Sequence, residues 1–286
     1  MTAIATRRYA VPGGITLAAD VGGDPSRPAV LLLHGGGQTR HSWHRAMHEL
    51  VQSGYHVINL DSRGHGESDW APDGDYSLAT QTADLRAVIA TLEANSARPP
   101  ALVGASMGGI VSLYLVGTSD TQIAGTLILV DVVPRISTEG AHRIAAFMRA
   151  HPQGFASLDE AADAVAAYNP HRPRPSDNSG LMKNLRKRAD GRLYWHWDPA
   201  FLQSRLEPPQ LAEQLLTAAG RIPVPTLLVR GMQSDIVSDE GIAEFRRRLP
   251  ALETFDVGAA GHMVAGDKND AFNRGVIGFL HRHHPA

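Results

Sequence analysis

The feature that most constrains the fold is an alternation of two kinds of segment along the chain. Five short runs are continuously apolar and rich in aliphatic residues; they span residues 29–33, 57–60, 101–103, 126–130 and 226–229. Unbroken hydrophobicity is typical of parallel strands that are covered on both faces. Apolar residues recur at helical spacing between these runs, over residues 78–92, 110–116 and 242–249. The alternation predicts an α/β fold with a doubly wound, mostly parallel sheet.

One long stretch, residues 134–219, breaks this alternation. It is too long for an ordinary loop, and it contains helical patterns of its own at residues 141–150, 158–168 and 208–219. We therefore expect residues 1–133 and 220–286 to form the α/β core. Residues 134–219 are expected to be inserted into that core as a helical cap.

The first part of the chain predicts a different kind of strand pairing. Two short runs, residues 4–10 and 15–21, flank the segment Pro12-Gly13-Gly14. Proline and glycine favour tight turns, so we expect these runs to pair as an antiparallel hairpin at one edge of the sheet.

Composition limits the chemistry that is available. The chain has 286 residues, a formal charge of −2 and no cysteine, which excludes disulfides, a thiolate nucleophile and cysteine-bound metal sites. Its near-neutral charge argues against nucleic acid or an anionic membrane as a partner. No apolar run reaches the roughly 18–20 residues of a membrane helix, and none follows the arginines near the N-terminus as a secretory signal would require. We expect a cytoplasmic protein that acts on a small molecule without a cofactor or metal, and composition leaves the oligomeric state open.

The first motif with chemical meaning is Gly104-Ala105-Ser106-Met107-Gly108, which fits the pattern G-x-S-x-G. A chain of this length contains the bare pattern by chance roughly once in seven cases, so its context decides its weight. It directly follows a predicted strand and precedes a predicted helix. Such a turn holds a serine in a strained, accessible conformation, although a tight turn with a buried serine would give the same pattern.

A second motif, His34-Gly35-Gly36-Gly37, also follows a predicted strand. Glycines at this point leave backbone N–H groups free to stabilise a developing oxyanion. A phosphate-binding loop is the alternative, but such a loop would end in Gly-Lys-Ser or Gly-Lys-Thr, whereas here Gln38 and Thr39 follow. The glycine pattern of a dinucleotide-binding fold is absent as well.

An acid and a histidine follow two further predicted strands. Asp235 comes shortly after residues 226–229, and His262 comes shortly after the run 254–257. Because catalytic groups of open α/β sheets gather at the carboxyl ends of the strands, these side chains can converge with Ser106. Asp131, directly after residues 126–130, is a rival acid that ranks behind Asp235. Asp239 is a weaker rival, placed where it would open the next helix.

Together these segments resemble the α/β-hydrolase fold family over nearly the whole chain. The resemblance rests on the two glycine motifs, on Asp61-Ser62-Arg63-Gly64-His65-Gly66-Glu67-Ser68, on Asp235, and on Gly261-His262, in the family's order of serine, acid and histidine. It implies that Ser106 is the nucleophile, His262 its general base and Asp235 the carboxylate that orients the base. It also implies that the Gly36 and Met107 N–H groups form the oxyanion hole. Within the Asp61–Ser68 motif we expect Arg63 to pair with Asp61 or Glu67.

Aromatic residues near this site are candidates for a substrate pocket. Tyr168, Trp195 and Trp197 fall within the predicted cap, and Trp43 follows the first glycine motif, to which Gly35 belongs. Such rings either anchor an apolar core or line the pocket beneath a cap. We place all five residues at the pocket.

The resemblance implies a cofactor-independent serine hydrolase that cleaves a carboxylic ester or a related acyl substrate through an acyl-enzyme. The serine at the turn sets it apart from epoxide hydrolases and haloalkane dehalogenases of this fold, which have aspartate there. Hydrolysis of a C–C bond in a ring-cleavage diketone ranks second, and lactone hydrolysis or a perhydrolase activity uses the same residues. A ligand-binding receptor that keeps the fold without turnover is the non-enzymatic alternative.

Overall fold

The computed structural model describes residues 4–93, 98–170, 174–203, 208–267 and 269–286. Its centre is an eight-stranded sheet with the spatial order β1 (Ala5–Val11), β2 (Ile15–Gly22), β4 (His56–Leu60), β3 (Ala29–Leu33), β5 (Ala101–Ala105), β6 (Thr126–Val130), β9 (Thr226–Gly231) and β10 (Glu253–Val257). Every neighbouring pair from β4 to β10 is parallel. β1 and β2 form the predicted antiparallel hairpin, and β2 joins β4 in antiparallel register. The predicted sheet and its edge hairpin are confirmed.

Helices cover both faces of the sheet, as a doubly wound fold requires. α2 (Leu78–Glu93), α3 (Met107–Thr118) and α7 (Asp239–Arg248) pack on one face, where Leu31 and Leu33 point. α1 (His44–Gln52), α8 (Val264–Asp267) and α9 (Asn269–His283) cover the other face, where Val30 and Leu32 point. Because successive residues of β3 face opposite layers and all are buried, the strand needs an apolar residue at every position.

Residues 134–219 form a mixed segment rather than a purely helical one. The predicted helices are confirmed as α4 (Thr138–Arg149), α5 (Leu158–Tyr168) and α6 (Pro208–Ala219), and α6 packs against α3 and α7 of the core. A small antiparallel sheet, β7 (Leu185–Lys187) with β8 (Leu193–Trp195), was not predicted. Residues 134–219, which are called the cap below, have their own apolar cluster around Phe155, Trp195, Trp197 and Phe201, and Met107 at the start of α3 belongs to that cluster. The cap therefore rests directly on the start of α3.

The helices of the described residues are all too short or too polar to cross a membrane.

Candidate active site

Ser106 occupies a strained turn between β5 and α3. Its backbone has φ 45° and ψ −112°, in a left-handed region that non-glycine residues seldom adopt. A Cβ at Gly104 would lie 2.4 Å from the Gly108 carbonyl oxygen, and a Cβ at Gly108 would lie 2.5 Å from that of Leu33. The Ser106 N–H donates to the Val130 carbonyl of the neighbouring strand at 3.1 Å. The glycines on either side of the turn allow this close packing of the backbone, which holds Ser106 in the strained conformation that the motif predicts.

The carboxylate that contacts His262 is Asp131. The Asp131 Oδ2 atom lies 2.7 Å from the His262 Nδ1 atom, and the aspartate is fully buried. The same carboxylate accepts hydrogen bonds from the Gly231 N–H at 3.0 Å and from the Ser234 hydroxyl at 2.5 Å. A carboxylate at Nδ1 keeps the proton on that nitrogen and leaves Nε2 free to accept another.

The prediction that Asp235 orients His262 is wrong in this structure. Its side chain is 36% exposed and pairs with Arg143 of α4 at 3.1 Å. β9 ends at Gly231, and the turn that follows brings the Ser234 hydroxyl, rather than the Asp235 carboxylate, to the site. Asp131, the alternative acid, directly follows β6, which is paired with the strand that precedes Ser106. Asp239, the weaker alternative, begins α7 and pairs with Arg230.

Near Ser106, the backbone N–H groups of Gly36 and Met107 have no hydrogen-bond acceptor within the described parts of the chain. The neighbouring N–H groups are occupied: Gly35 donates to Gln38 Oε1 at 3.1 Å, and Gly37 donates to His65 Nε2 at 3.1 Å. Met107 is the first residue of α3, so its N–H has no intrahelical partner. These are the two N–H groups that the family resemblance assigns to an oxyanion hole.

His34 controls the direction of the Gly36 N–H. Its Nδ1 atom lies 2.8 Å from the Gly35 carbonyl oxygen, which also accepts from the Gln38 N–H at 3.0 Å. Because a trans peptide is planar, fixing that carbonyl points the Gly36 N–H the opposite way. The His34 Nε2 atom accepts the Ser62 N–H at 3.0 Å, so the ring is neutral, and burial lowers its pKa although Asp61 opposes this. The segment 34–38 is called the glycine loop below.

Residues of the loop that follows β4 form ion pairs that differ from the expected ones. Arg63 makes a bidentate pair with Asp84 of α2, at 2.5 and 2.7 Å, and does not pair with Asp61 or Glu67. Those two acids instead bind Arg40, which is 4% exposed. The expectation of a local Arg63 pair was wrong because Arg40, which follows the glycine loop, reaches the same carboxylates.

A cavity of about 800 Å³ lies between the carboxyl edge of the sheet and the cap. Ser106, His262, Gly36 and Met107 line it, and so do the five residues predicted for the pocket, which are Gly35, Trp43, Tyr168, Trp195 and Trp197. Most of its other walls are apolar side chains of α3 to α6, among them Ile110, Ile144, Phe147, Val165 and Leu211. Polar residues such as His41, Asn178, Lys183 and Asn184 contribute to it as well. That a substrate binds there stays a prediction.

Two residues that matter for this geometry were not singled out from the sequence as site residues. Ser234 donates to the Asp131 carboxylate, and His196 of the cap lies 3.3 Å from the Gly37 carbonyl oxygen through its Nε2 atom. Ser234 follows the end of β9 by three residues, and its position next to the strand end was the available signal. The sequence offers no such signal for His196, because its contact with Gly37 joins residues that are 159 positions apart in the chain.

Comparisons with known proteins agree with this fold. The profile of the alpha/beta hydrolase fold family matches residues 28–268. The esterase Rv0045c of Mycobacterium tuberculosis is 30% identical over 89% of this chain and 83% of its own. The sn-1-specific diacylglycerol lipase ABHD11 of Mus musculus is 30% identical over 90% of this chain and 82% of its own. Among solved structures, E-2-(acetamidomethylene)succinate hydrolase superposes with a TM-score of 0.84 at 25% identity, covering 97% of this chain and 99% of that one.

Proposed function

The chain belongs to the alpha/beta hydrolase fold family, and on that basis we propose that it is a serine hydrolase that cleaves carboxylic esters through an acyl-enzyme. One observation carries the proposal: Asp131 holds His262 by Nδ1 at 2.7 Å, on the wall of the cavity that also exposes Ser106. A histidine held in this way is a base for a neighbouring hydroxyl.

The first half of the reaction forms the acyl-enzyme. Ser106 Oγ attacks the ester carbonyl carbon while His262 Nε2 takes the serine proton. The negative charge moves to the carbonyl oxygen, where the Gly36 and Met107 N–H groups stabilise it. When this intermediate collapses, the C–O bond to the alcohol breaks and His262 returns the proton to the leaving alkoxide.

The second half releases the acid. Water attacks the acyl carbon and gives its proton to His262, and the oxyanion again lies between the two backbone donors. Collapse breaks the bond to Ser106, which recovers its proton from His262. Asp131 keeps its charge throughout and stabilises the imidazolium that forms in each half.

The size and lining of the cavity support esters that carry a sizeable apolar group. About 800 Å³ is near the upper end of the range for small-molecule sites, and most of the walls are aliphatic or aromatic. Several relatives are named for ester cleavage, including the esterase and lipase above and a 3-hydroxybutyrate-oligomer hydrolase of Cupriavidus necator. We therefore propose substrates whose acyl or alcohol part is larger than acetyl or ethyl.

The test combines active-site labelling with a substrate panel. A fluorophosphonate should modify the wild-type protein at Ser106, and Ser106→Ala should abolish labelling and lower kcat for p-nitrophenyl esters by at least about 10³-fold. Ser119→Ala, at the end of α3 and away from the cavity, is the matched control and should keep the full rate.

Within the panel, rates should rise from acetyl to longer acyl chains. Wild-type rates in Ser106→Ala would contradict the mechanism. Turnover confined to lactones or ring-cleavage diketones would contradict the proposed substrate class while leaving the nucleophile in place.

A further inference from the structure

His196 links the cap to the glycine loop through both of its ring nitrogens. The residue directly follows β8 and is 1% exposed. Its Nδ1 atom lies 2.7 Å from the Gly66 nitrogen, and its Nε2 atom lies 3.3 Å from the Gly37 carbonyl oxygen. Because a backbone N–H only donates, Nδ1 must be the acceptor. The ring proton is therefore on Nε2, which donates to Gly37.

The glycine loop depends on such hydrogen bonds because it has almost no side chains to pack. Three successive glycines have the largest conformational freedom that a backbone offers, and Gly37 adopts a φ of +76°. The Gly37 N–H donates to His65 and the Gly37 carbonyl accepts from His196, so both peptide groups of this residue are held by imidazoles. The Gly37 carbonyl shares its peptide with the Gln38 N–H, which donates to the Gly35 carbonyl at 3.0 Å. The peptide of that carbonyl carries the Gly36 N–H.

Met148 and Trp197 of the cap lie close to Gly37, but the other hydrogen bonds between described residues of the cap and the core avoid the glycine loop. The Arg186 guanidinium donates to the Gly66 carbonyl, the Asp198 N–H donates to the Gly64 carbonyl at 2.9 Å, and the Tyr76 hydroxyl donates to Asp198 at 2.6 Å. Among the cap residues that the structure describes, His196 is the one that forms a hydrogen bond with residues 34–38. The His196 side chain therefore both attaches the cap to the core, through Gly66, and positions the glycine loop, through Gly37.

We infer that His196 is a positioning residue of the oxyanion hole. Its Nε2–H fixes the Gly37 carbonyl and so the Gln38 N–H of the same peptide, which together with His34 holds the Gly35 carbonyl and thereby directs the Gly36 N–H. This inference rests on the proposed function. It assigns a cap residue, which touches no substrate, to the part of the site that stabilises the transition state. Burial lowers the pKa of His196 to about 3, so the ring stays neutral and keeps both hydrogen bonds at neutral pH.

Two substitutions separate the two nitrogens of the ring. In His196→Asn the amide oxygen replaces Nδ1 and keeps the bond from Gly66, but nothing reaches Gly37. In His196→Gln the amide nitrogen replaces Nε2 and keeps the bond to Gly37, while the acceptor for Gly66 is lost. We expect His196→Asn to lower kcat for an ester about 10-fold with little change in KM, because the lost bond matters in the transition state. His196→Gln should keep kcat within about threefold of wild type.

Arg186→Met is the control for cap docking. It removes a different contact with the same residue, Gly66, and leaves Gly37 untouched. We expect a lower Tm with an unchanged kcat. Equal losses of kcat in His196→Asn and His196→Gln, or an unchanged kcat in His196→Asn, would overturn the inference and leave His196 as a docking residue.

A measurement that does not need turnover keeps this inference separate from the proposed function. Amide hydrogen exchange of the peptide that contains residues 34–38 should become faster in His196→Asn and stay near wild type in His196→Gln and Arg186→Met. If wild-type protein cleaves no ester, the proposed function fails and this exchange pattern alone decides whether His196 holds the loop. Equal exchange in all variants would overturn the inference on its own.

Discussion

At the scale of single residues, the Asp131 carboxylate is held in one orientation by three hydrogen bonds. A backbone N–H, a serine hydroxyl and the His262 ring all donate to it, and the side chain is inaccessible to solvent. A carboxylate that accepts three hydrogen bonds cannot rotate without breaking one of them. The imidazole of His262 is therefore held in one position and one tautomer.

Exchanging the two candidate acids tests this arrangement. Asp131→Asn should lower kcat by about 10⁴-fold, because an amide at Nδ1 favours the wrong tautomer of His262. Asp235→Asn removes only a surface pair with Arg143, so its kcat should stay within about twofold of wild type. Steady-state kinetics on one ester measures both variants. A large loss in Asp235→Asn with a small one in Asp131→Asn would restore the assignment expected from the sequence.

The choice between the two acids shows where inference from the sequence ends. Both aspartates follow buried strands, so position at a strand end does not separate them. What decides is the course of a short turn: Asp131 is the first residue after β6, whereas Asp235 is the fourth residue after β9. Ser106 also directly follows its strand, β5. This shared position next to a strand end was the one available indication in favour of Asp131.

At the scale of secondary-structure elements, α3 approaches its neighbours more closely than side chains would permit. A Cβ at Gly117 would lie 2.2 Å from the Ala218 carbonyl oxygen of α6, and a Cβ at Gly109 would lie 2.6 Å from Val132. α3, which begins directly after Ser106, is thus closely packed near both of its ends. Its first turn, which presents the Met107 N–H, gains rigidity from that packing.

Two helical glycines provide a matched test of this packing. Gly117→Ala should lower the free energy of unfolding by about 1–3 kcal/mol, because the backbone of α6 must move to admit the methyl group. Gly278→Ala in α9, where nothing lies within 4 Å of the added Cβ, should raise it by about 0.5–1 kcal/mol. Urea unfolding of both variants measures the difference. Equal effects of the two substitutions would show that α3 and α6 are not closely packed in solution.

The elements also differ in how far the sequence predicts them. Most strands of the parallel sheet were predicted because they are largely apolar, although β10 contains Glu253 and Asp256. The three helices of residues 134–219 were predicted because of their periodicity. α1 and α9 were not, although Ala46, Met47 and Leu50 of α1 are buried on one side at helical spacing. β7 and β8 have three residues each, too few for a period to emerge. Their pairing depends on the cap as a whole.

At the scale of the whole molecule, three buried histidine rings connect the core to the cap. The rings of His34, His65 and His196 lie in a row across the interface. The ring centroids of His34 and His65 are 5.2 Å apart, and those of His65 and His196 are 5.7 Å apart. Each accepts a backbone N–H, from Ser62, Gly37 and Gly66 in turn, so each must be neutral. Protonation of any of them would break a hydrogen bond that joins two loops.

Folding stability should therefore fall in mild acid. In the unfolded chain a histidine has a pKa of about 6.5, whereas burial lowers the pKa of His196 to about 3. The charge on Arg186 acts in the same direction, and the hydrogen bond to Gly37 and the charge on Asp61 oppose it. Between these values the unfolded state binds more protons, so the free energy of unfolding decreases as the pH falls, by at most about 1.4 kcal/mol per pH unit for this group. The stabilisation is complete above about pH 6.5 and is lost progressively below it.

Urea unfolding between pH 4 and 7 measures this dependence. His196→Gln removes the titrating group, so its free energy of unfolding should vary less steeply with pH than that of the wild-type protein. His142→Gln replaces an exposed histidine of α4 and should leave the slope unchanged. Parallel curves for the wild type and His196→Gln would contradict the burial of a neutral ring at this position.

The bond between His196 and the Gly37 carbonyl has a consequence for altering the substrate range of this enzyme. Exchanging the segment 134–219 for that of a relative is an obvious way to graft a new pocket onto the core. Such a chimera would also replace the side chain that holds the glycine loop. A graft that ends before Trp195 would change walls of the pocket and the Arg186 contact with Gly66 but would keep the native histidine. Chimeras made at these two boundaries would differ in turnover even when they bind the new substrate equally well.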